Sequence, residues 1–208
     1  PSGAKTAPVK WARPSGSSKG NLLIGIFTVE DLSQVFPSTI GALELIGTAQ
    51  SDFDTIGLYA GFDGEAANYE VSGWSGSKFV WGRLIAYSGA TSPTKAKEAI
   101  DAFKITANLT NSKTVTAEGV TPTTTDSQLI WAAGITEVIT SFTPPTGMTS
   151  IDGSFVNNVE VAEQHLTSKT ATGTRTGTVS TATTSVGIQL TIPSAEEPAS
   201  SKRTTMIL

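Results

Sequence analysis

An all-β fold, a single β-sandwich of about ten strands, is predicted by three observations. Threonine is the first: the chain of 208 residues carries 32 of them, most after Tyr87, while charged residues make up only 15%. Globular domains average about 25% charged residues, so uncharged polar groups must cover much of this surface. Threonine is β-branched and suits a pleated, half-wet surface better than a helix. The second observation is a series of strand-length apolar runs separated by Gly, Ser, Asp and Pro. The third is the segment Val186, Ile188, Leu190, Ile192, which alternates with Gly187, Gln189 and Thr191 as a strand with one buried face does.

Taken in order, the strands are predicted at 21–29, 43–46, 55–62, 69–72 and 78–87 in the first half. The second half offers 115–120, 128–135, 159–166, 173–179 and 185–192. Lys95–Phe103 is the one stretch with helical spacing, through Ala96, Ile100 and Phe103, and it allows a turn or two at most. Residues 1–19 hold no periodic pattern and are expected to form an extended arm, with Lys5, Lys10, Arg13, Lys19 and Trp11 along it. Residues 20–192 form the sandwich, and 193–208 a tail closing on Met206, Ile207 and Leu208.

A faint duplication runs through the chain. Leu22-Leu23-Ile24 matches Leu129-Ile130-Trp131, and Phe36-Pro37-Ser38-Thr39-Ile40-Gly41 matches Phe142-Thr143-Pro144-Pro145-Thr146-Gly147, at an offset of roughly 107 residues. Each half alone has few large apolar side chains for a domain of its own. One core is therefore expected, jelly-roll-like, with interleaved halves and both sheets drawing strands from both.

Several function classes are disfavoured. The net charge is -4 with scattered basic residues, so no nucleic-acid footprint is expected. No apolar run approaches the ~18 residues of a membrane helix, and no secretory leader pattern opens the sequence. There is no Cys and a single His, which leaves few ingredients for a reactive centre. His165 shares a strand face with Glu163 and is read as part of a solvated face. Asp52-Phe53-Asp54 with Asp63 at the twelfth place resembles a calcium loop, but Ile56 stands where an oxygen ligand belongs. No nucleophile elbow or phosphate loop occurs, Gly73–Ser77 having the wrong glycine spacing. Asn108-Leu109-Thr110 fits a glycosylation sequon by chance-level pattern alone. No catalytic residue, metal site or cofactor is expected.

The four Trp residues divide by context. Trp81 and Trp131 lie within apolar strands and belong to the core. Trp11 sits in the arm, where an indole makes a natural anchor to a partner or to its own domain, and Trp74 sits in a Ser/Gly turn, where it could serve as a sugar platform. The expected interface residues are therefore Lys10, Trp11, Arg13, Met206, Ile207 and Leu208, with Trp74 as a candidate glycan contact.

Five blocks of sequence together resemble a β-sandwich family found in tailed-phage virion proteins and in bacterial surface proteins. They are Pro14–Phe27, Gly57–Val71, Trp81–Ala90, Gly119–Trp131 and Ala171–Thr178, and they cover about residues 15–192. One departure is Phe36–Gly41, where such domains usually show a Pro-x-Gly-Trp turn. The resemblance implies a non-enzymatic virion structural protein, a capsid decoration or cement subunit assembled in the bacterial cytoplasm. Its implied partners are the major capsid protein and neighbouring copies of itself, without nucleic acid or membrane. The alternative is a glycan- or receptor-binding module of a tail fibre or bacterial surface protein, with a cell-surface glycan as ligand. A glycoside hydrolase is the weakest reading, because it needs paired carboxylates across a groove.

Overall fold

The computed structural model describes residues 5–6, 9–71, 77–78, 80–90, 95–151, 158–194 and 203–206. The strands are β1 (Lys5–Thr6), β2 (Val9–Ala12), β3 (Leu22–Val29), β4 (Thr39–Ile40), β5 (Leu43–Gln50), β6 (Thr55–Phe62), β7 (Asn68–Val71) and β8 (Ser77–Lys78). They continue with β9 (Val80–Tyr87), β10 (Ala102–Ala117), β11 (Ser127–Ile135), β12 (Phe142–Thr143), β13 (Thr149–Ser150), β14 (Val159–Leu166), β15 (Arg175–Pro193) and β16 (Arg203–Met206). The stretch with helical spacing forms only a 3-10 turn at Ala96–Ala99, and Phe103 already belongs to β10.

Two six-stranded antiparallel sheets dominate. The first runs β16-β9-β3-β6-β5-β4, and the second β10-β15-β11-β14-β13 with β12 set against β15. The fold is thus an all-β sandwich, but its halves are not interleaved. Apart from β16, every strand of the first sheet precedes residue 88, and every strand of the second follows residue 101. Each sheet is instead assembled from the strands of one half, with β16 as the exception.

What the halves do share is the core between the sheets. Leu22, Ile24, Ile26, Ile56, Leu58 and Ile85 from the first sheet pack with Ile130, Val161, Val186, Ile188 and Leu190 from the second. Alternation along β3 sends Leu23, Phe27 and Val29 to the opposite face, where a second cluster forms. Along β11 it sends Leu129, Trp131, Ala133 and Ile135 outward into a third. Each sheet is therefore buried on both faces. That is why β3 and β6 read as unbroken apolar runs rather than alternating ones.

A folded-over ribbon covers each outer face. In the second half, residues 102–108 of β10 pair with 185–191 of β15, the register shifts, and residues 114–117 then pair with 175–178. The return leg lies on the sheet it came from: Asn108 Nδ2 donates to Thr116 O (2.9 Å), and Gln189 Nε2 donates to Ala117 O (2.9 Å). A Cβ on Gly187 would stand 3.0 Å from Ala117 Cα, so glycine is what permits the approach. In the first half the covering ribbon is β2 paired with β7. Its Trp11 and Tyr69 are buried, and the Trp11 ring lies 4.5 Å from that of Phe27. Phe27 in turn lies over Gly82 and Gly25, where any Cβ would collide with its ring.

The two ribbons superpose in register. Thr6 faces Ser77 as Ser112 faces Thr183; Val9 faces Val71 as Val115 faces Gly177; Trp11 faces Tyr69 as Ala117 faces Arg175. Every partner is displaced by the same amount, for example 112 − 6 = 183 − 77 = 106. The displacement also relates buried Phe36 to buried Phe142, and Gly41 (φ 59°) to Gly147 (φ 79°), both in the left-handed conformation glycine favours. The chain is a tandem duplication whose two sheets face each other.

Part of the stretch expected to be an extended N-terminal arm is thus docked on its own domain. Residues 9–12 are a strand of the domain, and the core begins before residue 20. Replacing Trp11 with Ala removes the indole from a closed cluster, so urea unfolding should show a loss of about 3–5 kcal/mol. A loss below about 0.5 kcal/mol, as for an ordinary surface substitution, would contradict this placement.

Candidate functional site

The strand registers gather one set of loops at a single end of the sandwich. Val29 closes β3 opposite Thr55 and Val80, and Gln50 closes β5 opposite Thr55. Gly134, near the end of β11, sits against Ile56, and buried Arg83 donates from Nε to Val159 O (3.1 Å). The segment after β3, the β5–β6 hairpin and the segment after β11 therefore emerge side by side.

These loops carry four exposed large apolar side chains. Leu32 and Val35 follow β3, Phe53 tips the hairpin, and Val138 follows β11; their exposures are 44%, 84%, 67% and 76%. Leu32 and Val138 are counterparts in the duplication (138 − 32 = 106). The loops are held rather than loose. Thr55 Oγ1 donates to Asp31 O (3.1 Å), Gln50 Nε2 to Leu32 O (2.8 Å), and Ser51 N to Asp54 O (2.9 Å). Preset loops lose little conformational entropy when a partner binds.

The residue after Phe53 carries a buried carboxyl group. Asp54 is 4% exposed, and neither side-chain oxygen has a hydrogen-bond partner among the described residues. Burial, reinforced by the charges of Glu30 and Glu137, pushes its pKa up to about 7. With Asp31 and Asp52 in the same loops, this end carries exposed apolar side chains together with acidic ones.

Of the residues expected to form an interface, the described ones lie outside these loops. Lys10 is exposed and paired with Glu70 (3.3 Å) across the β2–β7 ribbon. Trp11 is buried within its own chain, so its surface is already spent on the core. Arg13 donates from Nε to Asp63 Oδ2 (2.7 Å). Burial alone would raise the Asp63 pKa, but hydrogen bonds from Ser17, Arg13 and the Glu65 amide outweigh it and hold the carboxyl below its usual value. Arg13 thus serves a buried junction that fixes the segment leading into β3. Met206 ends β16, whose backbone pairs with β9, Met206 opposite Leu84. Ile207, Leu208 and Trp74 lie outside the described residues.

Other candidates resolve as well. His165 pairs with Asp126 rather than with Glu163, and both partners are exposed. Asp54 and Asp63 flank the eight-residue β6 and so lie at opposite ends of the sandwich, ~30 Å apart over nine steps. No calcium loop can join them. Trp131 is buried and stacked on Phe142, while Trp81 is half-buried against the shared core. Among the described residues, no group of three or more His, Asp and Glu is placed to hold a metal ion, and no helix is long and apolar enough to cross a membrane.

The apolar loop end escaped the sequence reading. Its signal is an apolar residue next to an acidic one in a turn segment, as in Asp31-Leu32-Ser33, Asp52-Phe53-Asp54 and Glu137-Val138. Compared with protein-family models, with curated proteins and with solved structures, the chain matches none.

The pKa of Asp54 makes a signed prediction. The folded state binds the proton more tightly than the unfolded chain, so stability falls as pH rises from about 4 to about 7. The full penalty, on the order of 4 kcal/mol for a shift of about three units, is present above that window. Asp54→Asn should therefore be more stable than the natural chain at pH 8 and level with it near pH 4 in parallel denaturant titrations. Identical pH dependence for both proteins would refute the assignment.

Proposed function

We propose that this chain is a non-enzymatic structural protein of a bacteriophage particle, a decoration or cement subunit that binds the outer capsid surface and stabilises the shell. The resemblance of its five sequence blocks to phage virion β-sandwiches supports the setting. The observation that carries the binding mode is the exposure of Leu32, Val35, Phe53 and Val138 on loops fixed at one end. Exposed apolar side chains gathered on one site mark an interaction surface, whereas the same residues scattered would mean nothing.

In this reading attachment runs through the loop end rather than through the N-terminal segment, whose Trp11 is already buried. The acidic residues Glu30, Asp31, Asp52 and Glu137 select a capsid patch with an apolar centre and basic surroundings. Phe53 is the natural anchor, because an aromatic ring buries much area at small entropic cost. Duplication suits a protein sitting over a junction, since related loops from both repeats reach the same face.

The test is co-sedimentation with shells of the major capsid protein from the same phage. The natural chain should pellet with shells and raise their resistance to heating, with binding that weakens as salt rises. The double variant Phe53→Ser, Val138→Ser should lose about tenfold or more in affinity, equivalent to about 1.4 kcal/mol, with its unfolding transition unchanged. A natural chain that ignores shells would overturn the cement reading. A double variant that binds as well as the natural chain would overturn the loop-end site.

A further inference from the structure

The two repeats fill one equivalent position in different ways. In the second sheet β11 is flanked by β15, and outside β15 lies the first leg of β10, residues 102–108. In the first sheet β3 is flanked by β9, and the place outside β9 is taken by β16, antiparallel as residues 102–108 are. Residues 102–108 continue directly into their own ribbon. The strand beside β9 comes instead from the far end of the sequence, with Arg203 opposite Tyr87 and Met206 opposite Leu84.

We propose that the β9 edge is a strand-acceptor site for a second copy of this chain, in which Arg203–Met206 of one subunit pairs with Leu84–Tyr87 of the next. Three features support this. First, β9 is a poor edge to leave open: Leu84, Ile85 and Ala86 follow one another with no charged residue among them, and such an edge recruits another strand. Second, the pairing is main chain to main chain over four residues, so the acceptor cannot distinguish its own strand from another copy's.

Third, the connector is longer than the intramolecular arrangement needs. Ser194 bridges to Ala90, and Arg203 pairs with Tyr87 only three residues away, so the ends to be joined lie within about 10 Å. The nine steps from Ser194 to Arg203 reach about 30 Å when extended. Their sequence between those ends is Ala-Glu-Glu-Pro-Ala-Ser-Ser-Lys, polar and broken by a proline. Surplus length of this kind lets the same strand be delivered within a chain or between chains, which is the usual basis of strand exchange. Delivery to the next subunit in one direction builds a ring or a row; reciprocal delivery builds a twofold dimer. The inference does not depend on the capsid reading, because the acceptor edge and its occupant belong to this chain.

The chain contains no cysteine, so introduced thiols report only on themselves. One preparation carries Ala86→Cys and another Thr204→Cys, the two positions being directly opposite in the register. Mixed in denaturant, refolded together at high concentration and oxidised, they should give disulfide-linked heterodimers that outnumber like-with-like pairs by about an order of magnitude. Mostly monomers with free thiols, or like-with-like pairs in random proportion, would overturn the proposal. As a control, Ala86→Cys with Thr204→Cys in one chain should link intramolecularly at high dilution. A second measurement avoids the core position: light scattering of the natural full chain should show a concentration-dependent oligomer that Thr204→Pro abolishes by blocking strand addition. A natural chain monomeric at every concentration would equally overturn it.

Discussion

Each sheet of this molecule has two apolar faces, and the opposing sheet can cover only one. The rest of the architecture follows from that constraint. Strands such as β3 and β11 send large side chains both ways, Leu22, Ile24 and Ile26 inward and Leu23, Phe27 and Val29 outward in the first case. Water on the outer face would cost about 25 cal/mol for every Å² of apolar surface left uncovered. The chain resolves the problem twice in the same manner, by bending a two-stranded ribbon back over its own sheet. Glycines make this possible: Gly82 seats Phe27 under Trp11, and Gly177 seats Trp131 beside Phe142.

Duplication explains how so thin a unit becomes stable. One repeat of about a hundred residues would bury its outer face under its ribbon and leave the inner face wet. Two repeats placed face to face close that inner face with a shared core. The same placement directs equivalent loops to one end. Exposed apolar residues then come to one end from both repeats, as Leu32 and Val138 do.

Much of this was legible in the sequence, and the gaps have physical reasons. Thr55–Phe62 and Val159–Leu166 were read with the bounds they have, because β-rich runs end there in turn residues. The β2 strand was missed because four residues between prolines carry no period, and its partner lies far along the chain. Consequently Trp11 looked like an anchor on an extended arm when it is core. The first leg of β10, Ala-Phe-Lys-Ile-Thr-Ala-Asn, was missed because it is a half-wet edge without a sustained apolar run. The duplication was visible at Phe36 and Phe142, yet its structural content lies in hydrogen-bond register, which residue identities barely record. Interleaving was inferred from the need for one core; the core is indeed common, but it forms between sheets rather than within them.

The covering ribbon is the central claim, and native-state hydrogen exchange tests it most directly. If β2 and β7 close the outer face, the ladder amides of residues 9–12 and 68–71 should exchange only through openings nearly as costly as those of β3. Their counterparts at 114–117 and 175–178 should behave alike. Ribbon amides exchanging at the rate of free loops, with β3 and β11 still fully protected, would mean that the sheets stand without their covers and that the account is wrong.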